Sequence, residues 1–221
     1  MALANPSSPI ARRHWVDDPY APHVTEGTLL RVGSAVGGVR VDSRKYTGIG
    51  GMIALGRRQG RLSFDAEYTM LVLQDPGPSS IELGRAHQLA AVGRVDVLRL
   101  GPHIVGGNSM IALFTEAGLA RTFYRYAMPR YGETPREVPA DNSRTQVEVG
   151  MGLFLDHRLE QPLGFPNRIG WQLGWRLAAS PRATRDEMVA CRGCIASPNP
   201  TTPVEAYDTE MLLTSTLDFT W

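Results

Sequence analysis

Apolar and polar residues alternate almost strictly between Arg61 and Val72. The apolar side chains stand at even positions, namely Leu62, Phe64, Ala66, Tyr68, Met70 and Val72. The odd positions between them are polar or charged, and only Leu71 departs from the rule. A period of two is the signature of a strand with two different faces. About nine to eleven residues is also the length that a tilted strand needs to cross a bilayer, so the segment predicts a long strand that fits a membrane.

The same alternation recurs, less cleanly, in seven further segments, and nothing between them has the period of a helix. Together they predict an all-β, eight-stranded antiparallel up-and-down barrel. The predicted strands are 28–41, 48–57, 61–72, 87–98, 109–122, 145–155, 168–178 and 207–221. The connections at about 42–47, 74–86, 123–144 and 179–206 are mostly long, and those at 57–60, 99–103 and 156–167 are mostly short. One end of the barrel is therefore expected to carry small turns and the other longer excursions.

Length and composition limit the number of domains and the class of protein. A chain of 221 residues forms one domain or at most two. A hydrophobic share of 43% and a net charge of +1 argue against disorder and against a nucleic-acid footprint. No run of about eighteen apolar residues exists, which excludes a transmembrane helix but not a barrel that hides its lipid face in every second residue.

The first 26 residues contain four prolines and no period, so we divide the chain into an extended N-terminal arm, 1–26, and a barrel, 27–221. Ala2-Leu3-Ala4 has the small-x-small pattern of a signal-peptide cleavage site, but the charged and apolar regions that precede such a site are missing. We expect either that a signal was replaced by Met1 or that the match is chance.

The two faces differ in bulk as well as in polarity. The polar face is rich in glycine, which suits the narrow interior of eight strands. The apolar face carries Trp171, Trp175, Phe219 and Trp221, and aromatics near strand ends form the girdles of membrane barrels. We therefore expect the apolar face to point outward, toward lipid.

The chain stops inside its last strand on the sequence Leu217-Asp218-Phe219-Thr220-Trp221. This ending resembles the C-terminal signal by which outer-membrane barrels are recognised for assembly, with Phe219 and Trp221 as its aromatics. With the alternation over 28–221, it makes the chain resemble the small eight-stranded bacterial outer-membrane barrels of the OmpA/OmpX type. The resemblance implies an outer-membrane location in a Gram-negative cell envelope, contact with outer-membrane lipid and lipopolysaccharide, and a structural or surface-binding role through long extracellular loops. A protein partner at those loops is possible, and no cofactor, metal or nucleic acid is expected.

An outward apolar face would turn nine ionisable residues into the barrel interior. They are Asp65, Glu67, Arg94, Asp96, Glu116, Glu148, Arg176, Glu210 and Asp218. Buried charges must be paired or hydrated, and Arg94 and Arg176, with Arg31 as a possible third, are outnumbered by acids. We therefore expect bridging water or some protonated carboxylates, in an interior that is a plug and not a pore. Phe154 falls on this polar side without an explanation.

Two sequences in the long connections are candidates for chemistry. Cys191 and Cys194 lack the context of a thioredoxin motif, a haem site or a zinc site, so a local disulfide is expected in an oxidising compartment. Arg125, Tyr126, Arg130 and Tyr131 mix arginine with aromatics, which suits either binding of lipopolysaccharide phosphates or a partner, or anchoring at the membrane interface.

Two alternative classes stay open at this stage. A soluble, lipocalin-like barrel would have its apolar face lining a ligand pocket. A lipid-modifying outer-membrane enzyme would need a histidine, a serine and an acid within hydrogen-bond reach. None of the five histidines stands on a strand beside a serine two positions away, and His103 with Ser109 is a weak pair, so catalytic residues are not assigned.

Overall fold

The computed structural model describes residues 26–41, 44–74, 82–101, 109–126, 137–138, 143–159, 166–181, 188–189 and 207–221. Eight long strands within these ranges close into one antiparallel barrel in which neighbours in sequence are neighbours in space. They are β1 (Gly27–Val41), β2 (Arg44–Gln59), β3 (Leu62–Gln74), β4 (Glu82–Leu100), β5 (Ser109–Tyr126), β7 (Ser143–Arg158), β8 (Arg168–Pro181) and β10 (Tyr207–Thr220). Two short strands, β6 (Glu137–Val138) and β9 (Met188–Val189), pair with each other and link the two longest connections. The predicted all-β, eight-stranded antiparallel barrel is confirmed.

The register of the barrel is staggered by ten residues. The paired positions starting from Leu30 return to β1 at Arg40, after passing through Leu55, Ala66, Ala91, Leu119, Val147, Ala179 and Thr209. Such a stagger requires the strands to tilt against the barrel axis, and with eight strands the interior is just wide enough for side chains to fill. The geometry therefore predicts a packed interior.

The first and last strands join to close the sheet. β1 and β10 pair from Leu29 with Thr220 to Arg40 with Thr209. One residue beyond the Leu29–Thr220 pair, Thr28 N donates to Trp221 O at 2.9 Å and Trp221 N donates to Thr28 O at 3.2 Å. Because every strand has two partners, the barrel has no open edge, which is the condition for a sheet to lie in hydrocarbon.

Most strands extend further toward the long-connection end than the alternation predicted. β2 begins at Arg44 instead of 48, β4 at Glu82 instead of 87, and β5 ends at Tyr126 instead of 122. The first connection is only 42–43 and not the longer 42–47, and Arg125 and Tyr126 belong to β5 and not to a loop. The reason is that backbone pairing continues where the residues on the two faces no longer differ in polarity, so the pattern ends before the strand does.

The apolar face points outward. On β3, Phe64 is 66% exposed whereas Glu67, on the opposite face, is 3% exposed, and exposure alternates in this way along most of the described strands. Leu71, the one exception to the alternation within 61–72, is buried in the interior. A lipocalin-like barrel lined by the apolar face is therefore wrong for this chain, since over the described residues that face is outside and the carboxylates of the strands are inside.

Candidate functional site: a charged lumen and a basic outer rim

Arg176 on β8 is the centre of a network of buried charges in the barrel interior, here called the lumen. Its guanidinium donates hydrogen bonds to both oxygens of Glu67 on β3, with Nη2 and Oε1 at 2.8 Å. It also donates to both oxygens of Glu116 on β5, and Nη1 lies 3.5 Å from Oε2 of Glu148 on β7. All four side chains are buried. Because a buried charge is costly unless it is paired, Arg176 offsets the burial of three carboxylates.

Arg31 enters the same network from β1 and is 1% exposed. Its Nη1 donates to Asp65 Oδ2 at 3.0 Å and to Glu67 Oε1 at 3.3 Å. Its Nε donates to Asp218 Oδ1 at 2.9 Å, and Thr216 Oγ1 donates to the same oxygen at 3.2 Å. The ion pair with Asp218 reinforces the seam between β1 and β10, where the barrel closes.

Arg94 on β4 is the third arginine of the network. Its Nη2 and Nε donate to Glu116 Oε2 at 2.7 and 3.1 Å, and its Nη1 donates to Gln172 Oε1 at 2.7 Å. The guanidinium also lies over the ring of Phe114, 4.4 Å from its centroid. Arg94 thus joins the carboxylates of the centre to an aromatic side chain that is fully buried.

The network connects seven of the eight barrel strands, all except β2. It contains three arginines and five carboxylates: Arg31, Arg94, Arg176, Asp65, Glu67, Glu116, Glu148 and Asp218. Within it the acids exceed the arginines by two, but four further arginines and three further carboxylates described in the lumen outside this network reduce the excess expected from the sequence. That this excess is met by water or by protonated carboxylates stays a prediction.

A second cluster of charges lies in the lumen near the short turns. Arg58 on β2 and Arg99 on β4 both donate to Oδ2 of Asp96. Both arginines also donate to the carbonyl oxygen of Gly60 in the β2–β3 turn. This cluster ties the turn to the wall of the barrel, and Gly60 has the positive φ of 59° that a turn residue without a side chain adopts readily.

A β-bulge brings Asp96 and Arg99 to the same face of β4. Residues three apart in a regular strand point to opposite faces, but the register against β5 shifts between Asp96 and Leu98. Val97 and Leu98 are consequently both 53% exposed. The extra residue turns Arg99 back into the lumen, where Nη2 lies 2.7 Å from Asp96 Oδ2.

Arginines missed by the sequence analysis also line the lumen. Arg58 is one position beyond the predicted second strand, Arg144 is one position before the sixth, and Arg168 begins the seventh. All three are at most 8% exposed, and Arg168 pairs with Asp156 on β7. Each continues the alternation of its strand, so extending the polar face by one residue would have found Arg58 and Arg144, and Arg168 already stood on the polar face of the predicted seventh strand.

Aromatic side chains fill the space between these charges. Phe154, for which the sequence offered no explanation, is 4% exposed and has the Arg58 guanidinium 4.8 Å from its ring centroid. Arg144 lies 5.3 Å from the ring centroid of Tyr124. Contacts of this kind are favourable because the ring face is electron-rich, and they let an aromatic side chain share a lumen with arginines.

The lumen is closed toward the long connections by a mostly apolar cluster. Tyr124 donates a hydrogen bond to Glu210, a half-buried carboxylate of β10. The rest of the cluster is buried and consists of Ala35, Leu71, Leu73, Ala86 and Leu212. A cavity between this cluster and Arg176 is lined in part by Thr69, Gln88 and Thr122. Apolar packing above the charges shields them from solvent, so the interior is a plug over the described residues.

All nine ionisable residues assigned to the interior lie there. Eight are at most 5% exposed, and Glu210 is half-buried. Phe219 and Trp221 are half-buried at the short-turn end of β10. Cys191, Cys194, Arg130, Tyr131 and the arm 1–25 lie outside the described residues, as do the side chains of Arg125 and Tyr126.

On the outer face of the barrel, the charged side chains that the structure describes are basic, apart from Glu26 just before β1. Arg57 and Arg61 are exposed near the short turns, and Arg85 and Arg121 near the long connections. The described carboxylates of the strands all turn inward or, like Glu210, are half-buried on that face. The outer surface is thus an apolar belt flanked by positive charge.

The structure brings one serine and one histidine together that sequence spacing did not. Ser109 pairs with His157 across β5 and β7, and Ser109 Oγ lies 2.9 Å from His157 Nδ1 on the outer surface. Among the described residues no carboxylate contacts the imidazole, so the third member of a hydrolytic triad is lacking there. Nor does that part of the chain contain three or more His, Cys, Asp or Glu side chains placed to hold a metal ion.

No helix within the described ranges has the length and hydropathy of a membrane-spanning helix. No protein-family model matches the chain, and no curated protein matches it either. Among solved structures, the crystal structure of Neisserial surface protein A (NspA) aligns over 88% of this chain and 97% of its own chain, with 14% identity and a TM-score of 0.49. At that level the likeness carries no conclusion about function. By its own strand number and connectivity, the part of the chain that the structure describes is a small, closed, eight-stranded antiparallel barrel.

Proposed function

We propose that the protein is an integral barrel of a Gram-negative outer membrane, with a closed lumen and a structural or surface-binding role exercised through its long connections. The observation that supports this most directly is the exposure of side chains such as Phe64, Leu119 and Ile49, each at least 60% exposed on the outer face. Large apolar surfaces of this extent are rare on soluble monomers and mark interaction with another phase or partner.

The interior supports the same proposal. Removing a carboxylate and an arginine from water costs several kcal/mol per ion, by order of magnitude, and a soluble barrel would have the simpler solution of placing charges outside. The inverted arrangement is favourable where the outer surface meets hydrocarbon, because apolar residues then face lipid and the polar groups pair inside. Because the lumen is filled, we place the surface-binding role outside it, chiefly in the long connections.

The test is extraction of membranes from cells that make the full chain. We expect the protein to stay with the outer-membrane fraction after carbonate and urea washes, and to need detergent for release. The detergent-solubilised barrel should migrate differently on a gel before and after heating. Release by carbonate alone, or a product soluble without detergent, would overturn the proposal.

A further inference from the structure

We propose that the outer face of β4, β5 and β7 carries a binding site for a phosphorylated lipid headgroup in the leaflet at the long-connection end, with Arg121 and Arg85 as its principal ligands. This inference rests on the proposed membrane location and names the chemistry of one lipid contact. It is independent of the loop residues 130–131.

Arg121 lies at the boundary of the apolar belt that is nearest the long connections. Along the outer face of β5 it follows Ala117 and Leu119, the latter 61% exposed. A charged arginine on a lipid-facing wall is unfavourable at the bilayer midplane and is tolerated near the interface. A guanidinium at this height is therefore favourable only if its head reaches the headgroup layer and finds a partner there.

The guanidinium of Arg121 is held in place from one side. Nη1 donates to Thr145 Oγ1 at 3.1 Å and Nη2 donates to Ser143 Oγ at 2.7 Å, both on β7, and the ring of Phe123 lies 5.7 Å away. Two neutral hydroxyls fix the orientation without neutralising the charge, and no carboxylate among the described residues contacts it. Arginine has five N–H donors in a fork that matches phosphate geometry, so donors remain for an anion.

Two further groups extend the basic surface toward the membrane edge. His87 on β4 pairs in register with Phe123, and its Nδ1 forms a hydrogen bond with the Tyr68 hydroxyl at 2.8 Å. Arg85, two residues further along β4, is exposed on the same outer face. A negatively charged membrane surface attracts basic side chains at this depth, and the apolar belt directly below the site fits the acyl chains of the same lipid.

The experiment is native mass spectrometry of the full chain folded in detergent, titrated with bis-phosphorylated lipid A, with phosphatidylglycerol and with dephosphorylated lipid A. We expect adducts with the two phosphorylated lipids at a concentration about tenfold lower than with the dephosphorylated one. The variant Arg85→Gln/Arg121→Gln should lose that preference, and Arg121→Lys should lose part of it because the fork is gone.

The matched control is Arg57→Gln, which removes an exposed outer arginine at the opposite rim and should leave the adducts unchanged. Equal binding of phosphorylated and dephosphorylated lipid A, or equal adducts in wild type and the double variant, would overturn the site. Displacement of the lipids by millimolar inorganic phosphate would also overturn it, since the acyl chains would then contribute nothing. A barrel that folds and migrates differently on heating but fails these tests refutes only this inference, whereas a chain that never forms such a barrel refutes the proposed function.

Discussion

Arg176 of β8 and Glu67 of β3 lie 109 positions apart in sequence and meet in the middle of the lumen, with Nη2 and Oε1 2.8 Å apart. The two strands are not neighbours in the barrel. The ion pair therefore braces the wall from within, a contact that backbone pairing alone does not supply.

Loss of the Glu67 charge should destabilise the folded barrel strongly. Glu67→Gln leaves Arg176 and Arg31 with fewer anionic partners in a buried site, and breaking a buried pair in this way costs about 3–5 kcal/mol. Urea unfolding from lipid vesicles measures the change. Glu26→Gln, at an exposed carboxylate before β1, is the control and should change the free energy of unfolding little. Similar values for both variants would contradict a structural role for the network.

An arginine on the belt tests the facing of β3. Ala66 is exposed on the outer face, and Ala66→Arg should cost ~2–4 kcal/mol if that position meets lipid near mid-depth. Gln59→Arg, on the same outer side but at the short turn, should be tolerated. Ser63→Arg, which points into the lumen beside the register partner Arg94, should fail by crowding and by charge repulsion. Equal tolerance of Ala66→Arg and Gln59→Arg in the same urea assay would refute the outward apolar face.

Glycines on the lumen side should resist substitution even by alanine. A Cβ on Gly170 would lie 2.5 Å from Phe154 Cε2, so the ring must move. Overpacking of this kind costs typically about 1–3 kcal/mol. Gly51→Ala is the matched control, because a Cβ there has Gly33 O, at 3.4 Å, as its nearest neighbour. Partial rescue of Gly170→Ala by Phe154→Leu in the unfolding assay would identify the ring as the cause, and absence of any rescue would exclude it.

The filled lumen should not conduct ions. Planar bilayers with the wild-type protein are expected to show no stepwise conductance, since large side chains such as Arg94 and Phe114 are buried in the lumen and pack against each other. Arg94→Ala/Phe114→Ala removes two large buried side chains and should produce small, measurable steps if the barrel still folds. Leu119→Ala on the outer face serves as the control. Regular steps from the wild type would show that the plug is open.

The aromatic end of β10 should matter for assembly in cells more than for stability. Phe219→Asn and Trp221→Asn are expected to lower the amount of barrel in the outer membrane severalfold, if these residues act as the assembly signal. Trp171→Asn, on the outer face of β8, is a control for loss of an aromatic side chain. Quantitative blotting of membrane fractions measures the yield, and equal losses for all three positions would leave the ending without a special role.

The alternation of residues was sufficient to predict the strands and to assign most of their residues to an inner or an outer face. The strand from Leu62 to Val72 could be assigned from a period of two, because its inner face contacts charged side chains and its outer face is part of the apolar belt. The same rule failed at the strand ends near Arg44 and Tyr126, where the residues on the two faces no longer differ in polarity. It also failed at Leu71, which is apolar and buried among other apolar side chains at the closed end of the lumen.

The ion pairs inside the lumen could not be predicted from any pattern along the chain. Arg176 with Glu67, and Arg31 with Asp218, are set by the stagger of ten residues around the barrel, and a strand pattern contains no information on register between distant strands. The bulge at Val97 similarly brought Arg99 to the face of Asp96 against the simple period.

Alternation along the chain was enough to indicate an eight-stranded barrel with an apolar exterior, since a side chain's polarity reports the environment of its own strand face. The three-dimensional fold was needed to show which buried charges neutralise one another, that aromatic rings separate them, and that Arg121 is held by hydroxyls on the outer wall. Those relationships join strands far apart in the chain, and they depend on tilt and register, which arise only when the cylinder closes.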